Sequence, residues 1–96
     1  MLKPKTRFAV IILEFDPETE TDYLDTKAEE VTDTLAEAER LQTELLRDQD
    51  LISSTRLHKR HFRSYIQERA YYTVPRGKDK TEERYRITRV LNLKEI

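Results

Sequence analysis

Apolar positions along this chain form one unbroken run, Phe8 to Leu13, followed by Glu14 and Phe15. β-branched and aromatic residues dominate it and Asp16-Pro17 closes it, so the pattern predicts a strand. Side chains alternate between the faces of a strand, which sets Ala9, Ile11, Leu13 and Phe15 on one face and Phe8, Val10 and Ile12 on the other. Both faces are apolar, so this strand is expected at the centre of its sheet with cover above and below.

The rest of the pattern supplies that cover in part. Asp16-Pro17-Glu18-Thr19 is a turn sequence, and Glu20 to Val31 has too few apolar residues to show a period, so it reads as an edge strand pairing back on the first or, as the alternative, an acidic loop that enters the helix, with the edge strand favoured. Thr34 with Glu37 three residues later forms a capping box, and Leu35, Ala38, Leu41, Leu45 and Leu46 follow on one stripe. An amphipathic helix over about Thr34–Asp48 follows, wide enough to cover one sheet face. Leu51–Ala70 fits either helix or strand: Phe62, Ile66 and Ala70 stack at four-residue spacing, while Ile66, Ala70, Tyr72 and Val74 share a face in an extended chain. Tyr71–Val74 and Arg84–Leu93 are β-rich and flank a charged turn containing Gly77, the single glycine, at which a positive φ is expected. In the second of these segments simple alternation groups Tyr85, Ile87, Leu91 and Leu93 against Arg84, Arg86, Thr88 and Asn92.

The fold expected is therefore α+β: one domain over residues 1–96, a small antiparallel sheet of β-β-α-β-β type, and one helix on one face. If Leu51–Ala70 is strand, the second face of Phe8–Phe15 lacks cover, and a homodimer packed through that face is the expected remedy. The strand–turn–strand–helix order, with Asp33-Thr34-Leu35-Ala36-Glu37-Ala38-Glu39 at the helix entry, resembles small bacterial and phage accessory proteins. That resemblance covers a third of the chain and carries no functional motif.

Composition narrows the chemistry. Leu, Ile, Val and Phe make up 24 of the 96 residues, enough for a thin core, and charged residues make up 39%. There is no cysteine, which excludes disulfides, zinc–thiolate sites and thiol nucleophiles, and which fits a reducing compartment. Lys3, Lys5 and Arg7 precede the apolar run, but six residues followed by Glu14 and Asp16 do not make a signal peptide or a membrane span. A cytoplasmic location, with no membrane partner, is expected. The net charge of −1 conceals a segregation: residues 16–50 hold 13 acids and three bases, and residues 51–96 hold 12 bases and five acids. Either the two halves face each other and cancel, or the molecule presents one acidic and one basic surface.

The basic half is the leading candidate site. Arg56, Lys59, Arg60, Arg63, Arg69, Arg76, Lys78, Lys80, Arg84 and Arg86 are interleaved with aromatic residues, Tyr65 among them. Cations suit phosphates and aromatic faces suit bases, so a small non-enzymatic regulatory protein contacting nucleic acid or a nucleoprotein through Arg56–Arg89 is the first expectation. The alternative is an inhibitor or adaptor module whose acidic Asp16–Asp50 half, through Glu18, Glu20, Asp22, Asp25, Glu29 and Glu30, docks on a basic protein partner. A cryptic enzyme comes third. A calcium loop starting at Asp16 fails, because Thr21 stands at the glycine position and Lys27 at the twelfth. His58 and His61 lack an evident third ligand, no glycine-rich phosphate loop exists, and no Gly-x-Ser-x-Gly turn presents a serine. No catalytic residue, metal or cofactor is expected.

Overall fold

The computed structural model describes residues 4–15, 24–54 and 61–95. Four strands and one helix follow in the order β1 (Lys5–Phe15), β2 (Leu24–Thr32), α1 (Leu35–Ser54), β3 (His61–Pro75) and β4 (Thr81–Glu95). The strands form one antiparallel sheet in the order β2-β1-β3-β4. The α+β class is as expected, β1 is central and β2 is an edge. No described helix is long and apolar enough to cross a membrane.

The helix begins where the capping pattern places it: the Glu37 amide donates to Thr34 Oγ1 at 3.2 Å, and the Ala38 amide donates to the Thr34 carbonyl at 3.1 Å. It does not stop near Asp48 but runs to Ser54. The undecided stretch Leu51–Ala70 is thus divided, with its first four residues helical and His61–Ala70 extended in β3. In β3, period-two burial wins over the four-residue spacing, because a strand there completes the ladder on the free side of β1.

α1 packs on the β1 face that carries Val10 and Ile12. These residues, with Ala38, Leu46, Phe62 and Ile66, form the buried cluster, and Phe8, Ala28, Leu35, Leu41, Leu45 and Leu91 border it. Burying Val10, Ile12 or Ile66 stabilises the fold by about 1.5–3 kcal/mol each. Three polar side chains share this face. Glu14 is buried and ion-paired with Lys27 at 2.6 Å, while buried Gln42 donates through Nε2 to Ser64 Oγ at 3.0 Å and to the Asn92 carbonyl at 2.8 Å. Among the described residues Gln42 Oε1 has no partner, an orphan acceptor that lowers stability.

Two register shifts in the β3–β4 pairing correct the simple alternation expected for Arg84–Leu93. Ile66 pairs with Leu91 and Gln67 with Val90, yet Arg69 pairs with Ile87, so Thr88 is an extra residue; a second shift lies where Ser64 pairs with Lys94. Asn92 stands at the second shift with φ of +51°. Leu91 consequently turns toward the helix, and Val90 joins Tyr85, Ile87 and Leu93 on the opposite face.

The sheet face away from α1, called here the open face, has no second layer among the described elements, yet Ala9 and Ile11 are 0% and 5% exposed. The expectation that this face of β1 lacks cover is therefore corrected. Side chains of β2 and β3 close over it from within the same chain.

The β3–β4 hairpin outruns the rest of the sheet. Lys5, the first residue of β1, pairs with Tyr71, so residues 72–75 of β3 and the partner residues 81–84 lie past the end of β1 by about 13 Å. Its tip closes with the Arg76 amide donating to the Lys80 carbonyl at 2.8 Å, with Gly77 and Asp79 at φ of +80° and +66°. The positive φ expected at Gly77 is present.

Candidate nucleic-acid interface

Register decides what each basic residue can do. Arg69 stands on β3 opposite Arg7, and its side chain crosses β1 on the open face. In the register Ala9 lies between Arg69 and Glu29, and its small side chain takes up little of the space above β1. Arg69 Nη2 donates to Glu29 on β2, Nε and Nη2 donate to Gln67 Oε1 at 2.9 and 2.7 Å, and Nη1 donates to the Tyr71 hydroxyl at 3.3 Å. The group is only 4% exposed. Burial works against its charge, but the hydrogen bonds to Tyr71 and Glu29 outweigh that and hold its pKa above the ordinary arginine value. Arg69 links the basic and acidic halves of the chain, and its donors are engaged within the protein.

Aromatic rings surround this group. The Arg69 guanidinium carbon lies 4.1 Å from the centre of the Tyr85 ring, and the Tyr71 and Tyr85 rings are 5.4 Å apart at 47°. Arg7 stands 5.8 Å from the Tyr71 ring centre, and its Nε is 3.4 Å from Asp33 Oδ1, though not aligned for a hydrogen bond. Tyr65, opposite Ile11, is half-buried on the same face, and Arg63, opposite Leu13, pairs with Glu95 at 2.9 Å.

The remaining cations lie on the projecting hairpin or, for Arg86, at its base. Arg76 and Arg84 both pair with Glu82 at 3.0 Å. Among the described residues Lys78, Lys80 and Arg86 have no ion pair, and all three are exposed. Arg86, Tyr72, Ala70 and Pro4 line a shallow pocket on the helix side of the sheet, in the part that α1 does not reach. Arg56, Lys59 and Arg60 lie outside the described residues.

Arg89 forms a two-pronged pair with Glu68, Nε to Oε2 and Nη2 to Oε1, both at 2.9 Å, and Thr88 Oγ1 donates to Glu68 Oε2 at 2.7 Å. The Arg89 bonds above all, then the Thr88 hydroxyl, bring the Glu68 carboxyl down from 4.5 to about 2. The basic half thus neutralises part of its own charge through Glu68, Glu82 and Glu95.

The acidic candidates are scattered. Glu18, Glu20 and Asp22 lie outside the described residues, Asp25 pairs in register with Glu14, Glu29 is taken by Arg69, and Glu30 is exposed opposite Val10. Of the two histidines, His61 opens β3 and His58 lies outside the described residues; no group of three potential metal ligands occurs among the described residues. The sequence pattern pointed to Tyr65 and Arg69 but passed over Arg7, Gln67 and Tyr85 as members of one cluster. Odd-number alternation through β3 is the signal for Gln67 and Tyr71; Arg7 and Tyr85 needed the register.

Comparison of the chain with family models, with curated proteins and with solved structures finds no match.

Proposed function

We propose that this protein is a non-catalytic cytoplasmic binding protein that contacts nucleic acid through the projecting β3–β4 hairpin. The observation that carries the reading is the set of three cations, Lys78, Lys80 and Arg86, exposed and without carboxylate partners among the described residues, two at the tip of an arm that clears the rest of the sheet and the third, opposite Ala70, just inside its base. Residues 72–86 hold five bases against three acids. Such a ribbon meets a phosphate backbone from two sides, and releasing counterions drives the association. Arg76 and Arg84, bridged through Glu82, are stiffened for a second row of contacts.

The test is a salt titration of binding to single- and double-stranded oligonucleotides. Three phosphate contacts predict a slope of roughly −2 to −3 in log affinity against log salt, and replacing Lys78, Lys80 and Arg86 together by alanine should flatten most of it. Absence of measurable affinity for either oligonucleotide at low salt overturns the proposal.

A second reading is a protein-docking module, whether for a basic partner or for a second copy of the chain. The exposed Ile87, Val90 and Leu93 side chains on the open face favour it. The acidic residues named for that role do not supply it as a group, since Glu29 is already held by Arg69.

A further inference from the structure

The open face raises a question that the arm leaves unanswered, namely which form of nucleic acid the protein takes. A two-stranded ribbon with cations at its tip suits a duplex groove. The tyrosine cluster beside it has no role in that geometry, because bases stacked inside a duplex offer no face to a side chain.

We infer that the open face is a stacking platform for single-stranded nucleic acid, with Tyr85 receiving a base, Tyr71 flanking it, and Arg69 positioning the Tyr85 ring. This rests on the nucleic-acid reading above and deepens it.

Three observations support the inference. First, Tyr85 remains 45% exposed although Arg69 lies 4.1 Å from its ring centre, so the guanidinium backs the ring while leaving much of the residue open to solvent. A ring held from below by a cation presents a flat, oriented π-face, and every base can stack on such a face. Second, the ring is held in place. Arg69 is fixed by Glu29, Gln67 and Tyr71, and the Tyr71 ring packs against the Tyr85 ring in a tilted pair. Little side-chain freedom is left for binding to remove. Third, the surroundings suit a polyanion whose bases are unpaired. Lys5 and Arg7 stand on the same face next to Tyr71, at the base of the arm, and exposed Ile87 and Val90 continue from Tyr85 along β4 as apolar floor for further bases and sugars. A buried apolar interface with another protein would need a larger contiguous apolar area than a stripe interrupted by Gln67, Arg63 and Glu83, which argues against a second copy as the occupant.

The chain has no tryptophan and five tyrosines, so its intrinsic emission reports the tyrosines directly. The experiment titrates the intact protein with a mixed-sequence single strand and with the duplex of the same sequence, following affinity and tyrosine emission. Single strand should bind at least about 10-fold more tightly and quench the emission. Tyr85→Leu keeps apolar bulk but removes the ring, and should weaken single-strand binding by roughly 5- to 100-fold, the range of one lost base stack. Tyr85→Phe should stay close to wild type. Equal affinity for both forms, unquenched emission and no effect of Tyr85→Leu would overturn the platform while leaving the arm proposal standing. No affinity for either form at low salt would remove both. Light scattering that shows a dimer abolished by Val90→Ser, with single-strand affinity unchanged in Tyr85→Leu, would assign the face to a second copy and also overturn the inference.

Discussion

Arg69 is the residue on which the open face turns. Burying any unpaired charge is costly, and the Arg69 guanidinium is accommodated here because Glu29, Gln67 and Tyr71 accept its donors. Arg69→Met keeps bulk over Ala9 and Ile11 but removes every one of those bonds. Because Glu29 is about half exposed and can rehydrate, the expected loss is about 2 kcal/mol, below that of a fully buried pair. Arg69→Lys should recover little of it, since an ammonium cannot match the fork. Urea unfolding measures both variants, and a Met variant within about 0.5 kcal/mol of wild type would show that the network adds nothing net.

Among the elements, the β3–β4 ribbon differs most from its expected pattern. Strict alternation would set Val90 among polar residues, and the extra residue Thr88 resolves the conflict by letting Val90 and Ile87 share a face. Glu68 secures that irregularity, since Thr88 Oγ1 and Arg89 both bond its carboxylate and Thr88 also donates to its carbonyl at 3.0 Å. A carboxyl brought from 4.5 to about 2 in the folded state stabilises that state fully above about pH 4.5 and loses the contribution as pH falls toward 2. Glu68→Gln should therefore be less stable than wild type at pH 7, with the gap closing between pH 4.5 and 2. Thermal unfolding across that range checks it, and a gap independent of pH would contradict the assignment.

For the whole molecule, the decisive feature is that one helix covers only part of a long sheet. α1 packs over the segment of β1 and β3 that holds Val10, Ile12, Phe62 and Ile66, whereas residues 72–84 extend past both the helix and β1. Local opening follows buried apolar contact, so amide hydrogen exchange should be slowest at Val10–Ile12 and Phe62–Ile66 and fastest in the arm. Exchange by a single uniform opening, with arm and core alike, would contradict this. The elongated outline, 54 × 28 × 20 Å, is the same asymmetry seen as shape.

Much of this architecture was legible in the chain. The doubly apolar run from Phe8 to Leu13 demanded a central strand, Thr34 and Glu37 set the start of the helix, and a glycine among charged residues marked the hairpin tip, because each depends on local chemistry alone. The end of α1 and the division of Leu51–Ala70 were not legible, since both helical and extended spacings suit Phe62, Ile66 and Ala70 and only a neighbouring strand selects between them. The same holds for the candidate site. The richness in arginine and tyrosine was plain from the sequence. Which arginine is buried, which is paired and which faces solvent was decided by register across four strands, a property of long-range pairing that no local pattern contains.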